Sequence, residues 1–232
     1  MEEIVLEGIT IPVVKKKMKN MYIRVKPPEG EVKLTAPIGV SDDDIREFAL
    51  SKIAWIKKQQ ERCKKVSVQA EGEYVTGENC YLWGKKYILD VQDTDYGSRV
   101  FLWGENVVLR IGHGSTREER EQVLNDWYRR EMRRALPGVL KKCEKIVGVR
   151  AKEWRIKNMR TRWGTCNIPE QRIWLNLKLA KKPPECLEYV VVHELVHLLE
   201  REHNGVFYGY MDKFYPGWRE VKVRLNETSK EG

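Results

Sequence analysis

Three of the chain's four histidines fall inside one short segment, His193-Glu194-Leu195-Val196-His197-Leu198-Leu199-Glu200-Arg201-Glu202-His203. In a chain of this composition an H-E-x-x-H match arises by chance about once in 130 sequences, and with His203 added about once in 8,000. Leu187, Val190, Val191 and Leu195 supply the apolar side of a helix, on which His193 and His197 lie one turn apart on a shared face. Two imidazoles so placed can take two corners of a zinc tetrahedron at about 2.0–2.1 Å. Glu194, the next residue round, reaches the remaining open corner and can take a proton from water bound there.

A third ligand is needed, and two groups compete for it. His203 qualifies only if the helix ends after His197, because six further helical residues would rotate it by about 600° and carry it about 9 Å along the axis. The metzincin pattern H-E-x-x-H-x-x-G-x-x-H makes that turn with a glycine, where this chain has Glu200, and Gly205 comes too late. Glu220 is the alternative, returned by a second helix as in gluzincins. His203 is favoured. His113, flanked by glycines, reads as incidental.

The rest of the chain reads as two parts. Residues 1–112 form a strand-rich module with one helix. Tyr22-Ile23-Arg24-Val25 and Val32-Lys33-Leu34-Thr35 alternate about the turn Pro27-Pro28-Glu29-Gly30. Ser41 caps a helix carrying Ile45, Phe48, Ala49, Ile53 and Ile56, with three aspartates in its first turn. Strand-like pieces return from Tyr74 to Arg110. Gly112-His113-Gly114-Ser115 reads as a linker to a second part, residues 113–232. There Thr116 and Glu119 form a capping box, Pro137-Gly138 should kink or break the helix that follows, and 172–179 alternates as a half-buried strand. No internal repeat is visible.

Charge is placed unevenly within the net +9: residues 117–182 hold 19 basic and 8 acidic side chains, residues 183–232 hold 6 and 9. The basic stretch would suit nucleic acid or an acidic polypeptide. Five cysteines without a C-x-x-C pair argue against a disulfide framework and for reduced thiols in a cytoplasmic protein. No apolar run approaches the roughly 20 residues that span a bilayer, so no membrane partner is expected. The opening MEEIVLEG lacks the features of a secretory signal.

Met159-Arg160-Thr161-Arg162-Trp163-Gly164-Thr165-Cys166, then Leu175-Asn176, then Tyr189-Val190-Val191-Val192-His193-Glu194-Leu195-Val196-His197-Leu198 and His203-Asn204-Gly205-Val206-Phe207-Tyr208 together resemble the YgjP-like metallopeptidase family, related to SprT-type and WLM-type zinc proteases. The resemblance covers most of the chain and is strongest between Arg160 and Pro216. It implies one zinc ion held by His193, His197 and His203, with Glu194 as the catalytic base, and it supports the spacing without a glycine. It also implies an α+β, zincin-like catalytic domain whose H-E-x-x-H helix packs on a small sheet, acting on a polypeptide substrate.

Zincins hold substrate as an added strand, and the polar face Trp174, Asn176, Lys178 on the strand before the metal helix is the candidate for that role. Arg160 and Arg162 could hold a substrate carboxylate. One of Tyr208, Tyr210 and Tyr215 could donate to an oxyanion. The competing reading is a nucleic-acid-associated protein working through 117–182, with a structural or DNA-linked protease-type zinc site. Intact Glu194 favours the enzyme, since a structural zinc gains nothing from a neighbouring base.

Overall fold

The computed structural model of the chain describes residues 3–26, 30–68 and 72–227. It divides into two compact units, Met1–Glu71 and Gly72–Gly232. In the first, β1 (Glu3–Leu6), β2 (Ile9–Lys16), β3 (Tyr22–Lys26) and β4 (Glu31–Pro37) form a sheet of order β1-β2-β4-β3, with β2 and β4 parallel. Residues 27–29 of the expected turn lie outside the described residues. Alternation along the strands turns Ile4, Leu6, Ile11, Val13, Val32 and Leu34 to one buried face, where they join Ile45 and Ala49 of α1 (Asp42–Ser51) and Ile56 of α2 (Ile53–Val68). Ser41 caps α1, its Oγ accepting from the Asp44 N–H at 3.1 Å. The one helix expected here is interrupted at Lys52 (φ −108°).

The second unit opens on β5 (Asn79–Leu82), β6 (Lys85–Asp93), β7 (Arg99–Trp103) and β8 (Asn106–Ile111), in the order β5-β6-β8-β7 with β6 and β8 parallel. This repeats the topology of the first sheet, though the sequence shows no repeat. The opening hairpins match too: each turns through two left-handed residues, Glu7 (φ 47°) and Gly8 (φ 80°) in one, Trp83 (φ 50°) and Gly84 (φ 78°) in the other. Such turns share the twist of the strands they join. Each sheet then leads to a capped helix. In the second unit this is α3 (Arg117–Val147), where the Thr116 hydroxyl accepts from the Glu119 N–H at 3.2 Å and the Glu119 carboxylate accepts from the Thr116 N–H at 2.8 Å.

Two expectations need correction. The chain parts at 71/72 and not at the glycine-rich 112–115 segment. Leu82, Leu89, Val107, Leu109 and Ile111 share one core with Leu124, Trp127 and Met132 of α3, so that segment is a short sheet-to-helix connection. Nor does Pro137 break α3. One buried stripe, Leu124, Trp127, Tyr128, Met132, Leu136, Leu140, Cys143 and Val147, runs past it on the far side of the helix. Burying each large apolar side chain contributes about 1.5–3 kcal/mol, against about 3 kcal/mol for one interior proline.

A third sheet positions the site: β9 (Glu153–Lys157), β10 (Gly164–Asn167) and β11 (Arg172–Asn176), in the order β10-β11-β9. The strand expected over 172–179 ends at Asn176, whose side chain accepts from the Lys178 N–H at 3.1 Å and caps a 3-10 turn, Leu177–Lys181. α4 (Pro184–Val196), α5 (Gly205–Phe214) and α6 (Trp218–Glu227) follow. The fold is mixed α+β. No helix among the described residues is long and apolar enough to cross a membrane.

Because Pro137 sits on the exposed side of α3, Pro137→Ala restores a backbone donor without disturbing the core. The expected outcome is a gain of about 2 kcal/mol, read as a higher urea midpoint at unchanged slope. An unchanged midpoint would mean the helix had already relaxed around the proline.

Candidate metal centre

α4 begins with Pro184 in its first turn, where a missing N–H leaves nothing unbonded, and most of its side chains are buried, including Leu187, Val190, Val191, Val192, Leu195 and Val196. A helix so apolar is fixed by the core around it. His193 and His197 are left half-buried on its remaining face. The helix ends where the third ligand requires: Val196 is its last residue and His197 its cap, and the Leu199 and Glu200 N–H groups both donate to the Val196 carbonyl at 2.9 Å. No residue from 197 to 204 has a left-handed backbone, so this turn works with Glu200 where the metzincin pattern has glycine. Asn204 then starts α5, its Oδ1 accepting from the Val206 and Phe207 N–H groups at 2.9 and 3.1 Å.

The result is a cluster. Ligand nitrogens of His193, His197 and His203 lie within 4.8 Å of one another, and the Nε2 atoms of His193 and His203 are 3.0 Å apart. Phe207, fully buried, is the floor: its ring centre lies 4.9, 4.8 and 4.6 Å from those of His193, His197 and His203. His197 Nδ1 lies 3.3 Å from the Glu200 carbonyl, which selects the tautomer that leaves Nε2 free as a ligand. Burial holds His193 down at about 3, with the neighbouring imidazoles adding to the effect, and lowers His197 as well. Both rings are therefore neutral near pH 7, as ligation demands. Glu220 lies outside the cluster, exposed in the first turn of α6.

Glu194, beside the cluster, is only 4% exposed. Burial pushes its carboxyl up to about 8, and the Arg162 guanidinium pulls the other way. Its closeness to the sheet depends on one glycine. A Cβ at Gly164 of β10 would stand 2.5 Å from Glu194 Oε1 and 2.8 Å from Val190 Cγ1.

The profile of the YgjP-like metallopeptidase domain matches residues 19–228. The chain belongs to the YgjP-like metallopeptidase family. It is thus a metallopeptidase, a hydrolase that acts on polypeptides. No curated protein matches it. Two solved structures are similar over part of it, both metallopeptidase zymogens. Abylysin of Pyrococcus abyssi is 22% identical, with 40% of this chain and 92% of that one covered at a TM-score of 0.37. Jannalysin of Methanocaldococcus jannaschii is 15% identical, with 40% and 95% covered at a TM-score of 0.36.

The residues expected to hold substrate in this metallopeptidase are placed differently from the sequence reading. β11 is the central strand, hydrogen-bonded on both sides, so no substrate strand can add to it. Its Trp174 lies beneath Arg155 and Lys157, their charged ends 5.3 and 5.8 Å from the ring centre. Asn176 is buried and works for the fold. Its Nδ2 donates to the Met159 and Arg162 carbonyls at 2.9 and 2.7 Å, and its N–H to the Trp163 carbonyl at 2.9 Å. It thereby ties down the loop that carries Arg160 and Arg162, both exposed, of which Arg162 is the one that acts on Glu194.

The tyrosines separate as well. Tyr215 donates to the Glu185 carbonyl at 3.1 Å and Tyr210 stacks on Phe214, whereas Tyr208 stacks beside His203 with centres 6.4 Å apart. Sequence reasoning missed Phe207 as the floor and Gly164 as the point of close approach. The glycine's position two residues after Arg162 offers no signal of contact with α4.

Two outcomes follow from this geometry. Gly164→Ala is expected to retain metal by elemental analysis but to lose at least about 10-fold in hydrolysis, because β10 and Glu194 must move apart. Wild-type turnover in that variant would show the approach to be unimportant. In metal-free protein, His193 takes up a proton in the unfolded chain near 6.5 but in the folded one only near 3. Stability present above pH 6.5 is therefore lost as pH falls toward 3, and His193→Gln should flatten that part of a denaturation series against pH.

Proposed function

We propose that this metallopeptidase is a zinc-dependent peptide hydrolase of the zincin type, with α4 as its metal helix. The observation that carries the reading is the convergence of three imidazoles, with the Nε2 atoms of His193 and His203 3.0 Å apart, next to one buried carboxyl group. Ligands about 2.05 Å from a tetrahedral ion sit about 3.3 Å from one another, so nitrogens within 4.8 Å need only small rotations to meet it. An all-nitrogen donor set of neutral imidazoles suits zinc better than the hard cations, which take oxygen ligands.

His193, His197 and His203 would hold one ion and leave a fourth position open. Bound there, zinc supplies Lewis acidity to the scissile carbonyl and to the attacking water. The chain's own residues do the rest. Glu194 Oε accepts the proton of that water and hands it to the leaving amine nitrogen, a task for which a carboxyl raised toward neutral pH is well matched. The Tyr208 hydroxyl is the donor available on the His203 side for the developing oxyanion. β10 is an edge strand beside Glu194, so a substrate backbone would add to its free side, with Arg162 near the bound segment. Five free cysteines fit a reducing cytoplasm.

The test is a set of three variants. Glu194→Gln should keep zinc and lose about 10²–10⁴ in turnover. His203→Ala should lose zinc, and Glu220→Ala should keep both zinc and activity. Zinc retained in His203→Ala and lost in Glu220→Ala would replace His203 with Glu220 as third ligand.

A further inference from the structure

The long helix α3 buries one side and shows the other to solvent, and the exposed side carries a pattern that peptide hydrolysis does not use. At 100° per residue, Arg130, Arg133, Arg134, Lys141 and Lys145 fall within an arc of about 120°, outside the buried stripe of Met132, Leu136, Leu140 and Cys143. All five are exposed. They span 16 residues, a row about 22 Å long.

The row is not accounted for by internal pairing. Arg134 reaches Glu131 at 2.7 Å, but Arg130, Arg133, Lys141 and Lys145 make no ion pair among the described residues. Glu144, on the same arc, is committed to the Ala151 N–H at 3.2 Å. Complementing the helix dipole explains Lys145 in the last turn and not Arg130 or Arg133, which lie several turns earlier. Of the acidic side chains of α3, Glu118, Glu119, Glu121 and Asp126 lie at the other end, and Glu131 and Glu144 are the two within the length of the row.

We infer that the row Arg130, Arg133, Arg134, Lys141 and Lys145 on α3 is a docking surface for the phosphate backbone of double-stranded nucleic acid. Charge complementarity decides the occupant. Every member of the row is a cation, and three of them are arginines, whose planar fork fits phosphate oxygens. Pro137 is the one uncharged side chain between them on the arc, and no Trp, Phe or Leu stands there to enter a bilayer, so a membrane surface is disfavoured. A row about 22 Å long lies against a duplex that carries one negative charge per about 1.7 Å of its axis, a dense and regular array that suits a line of cations. The contacts would be to backbone alone, so binding should be indifferent to base sequence. Because α4 packs on the buried side of α3, the docked polymer leaves the histidine cluster open.

The experiment measures fluorescence anisotropy of a labelled random-sequence duplex of about 20 base pairs with the zinc-loaded full chain at 50 and 200 mM salt. Neutralising about five phosphates predicts a loss of about 500-fold in affinity between those concentrations. The variant Arg130→Gln/Arg133→Gln/Lys141→Gln/Lys145→Gln should bind at least about 10-fold more weakly at the lower salt, with a markedly shallower salt dependence, at unchanged zinc content and peptide hydrolysis. All four side chains are exposed and outside the metal centre, so the fold should hold, and unfolding midpoints check it. The inference is overturned by absence of duplex binding at 50 mM salt, by equal binding of the folded variant, or by polyglutamate competing as well as duplex at equal charge. Loss of peptide hydrolysis in the wild type would strike the metal centre and leave this result standing.

Discussion

The whole active face depends on where one helix stops. α4 is held by apolar side chains on most of its circumference, so its position is set by the core, and its two histidines inherit that rigidity. The third ligand comes from the opposite kind of structure, an exposed turn. The two meet because the helix ends at His197 and the chain bends back under the Val196 carbonyl, which accepts from both Leu199 and Glu200. The Asn204 cap then starts α5 in the one phase that puts Phe207 beneath all three rings. An aromatic floor offers no ligand atom, so it packs against the rings and leaves their nitrogens free to take a metal ion.

A second constraint acts on the other side of α4. The role proposed for Glu194 requires it to be close to the three imidazoles, shielded, and still reachable by water. Gly164 allows the edge strand to approach the carboxyl group to within the space a methyl group would fill. Asn176 then holds the loop before that strand by three hydrogen bonds to backbone carbonyls. Two neutral residues, Gly164 and Asn176, thus determine the surroundings of the buried Glu194 carboxyl group. The same loop carries Arg162, whose charge opposes the burial effect on Glu194.

What the sequence makes legible is what helical periodicity and local chemistry encode. His193 and His197 are readable because a spacing of four residues has one meaning on a helix. The capping residues Ser41 and Thr116 are readable because their hydrogen bonds close within three residues. The errors are tertiary. Alternation over 172–176 shows that a strand has two faces but not how many neighbours it has, so Trp174 and Asn176 were assigned to an open edge that belongs to β10. Pro137 reads as a stop because its cost is local, whereas the stripe that overrides it is spread over eight buried residues of α3. The repeated sheet order escapes notice because a buried strand position asks only for an apolar side chain: Ile4 in β1 and Cys80 in β5 satisfy the same requirement with different residues.

That repetition bears on how the metallopeptidase is organised. A four-stranded sheet with a capped helix is stable only when a further layer covers its apolar face. In the second unit that layer is α3, and α3 in turn covers α4, so the sheet β5 to β8 supports the metal helix through one intermediate. The Trp83 N–H adds a direct tie, donating to the Ala180 carbonyl at 2.8 Å, and Gly84 stands against Pro183 at the start of α4. In the first unit α1 and α2 close the same kind of sheet, and the matching turn at Gly8 faces open space. One topology therefore does two jobs: in one unit its hairpin turn anchors the helix that carries the histidines, and in the other that turn is free of such a load. The difference lies in what Gly84 touches, a contact that adds to the core shared with α3 in joining residues 72–111 to the unit that carries the histidines.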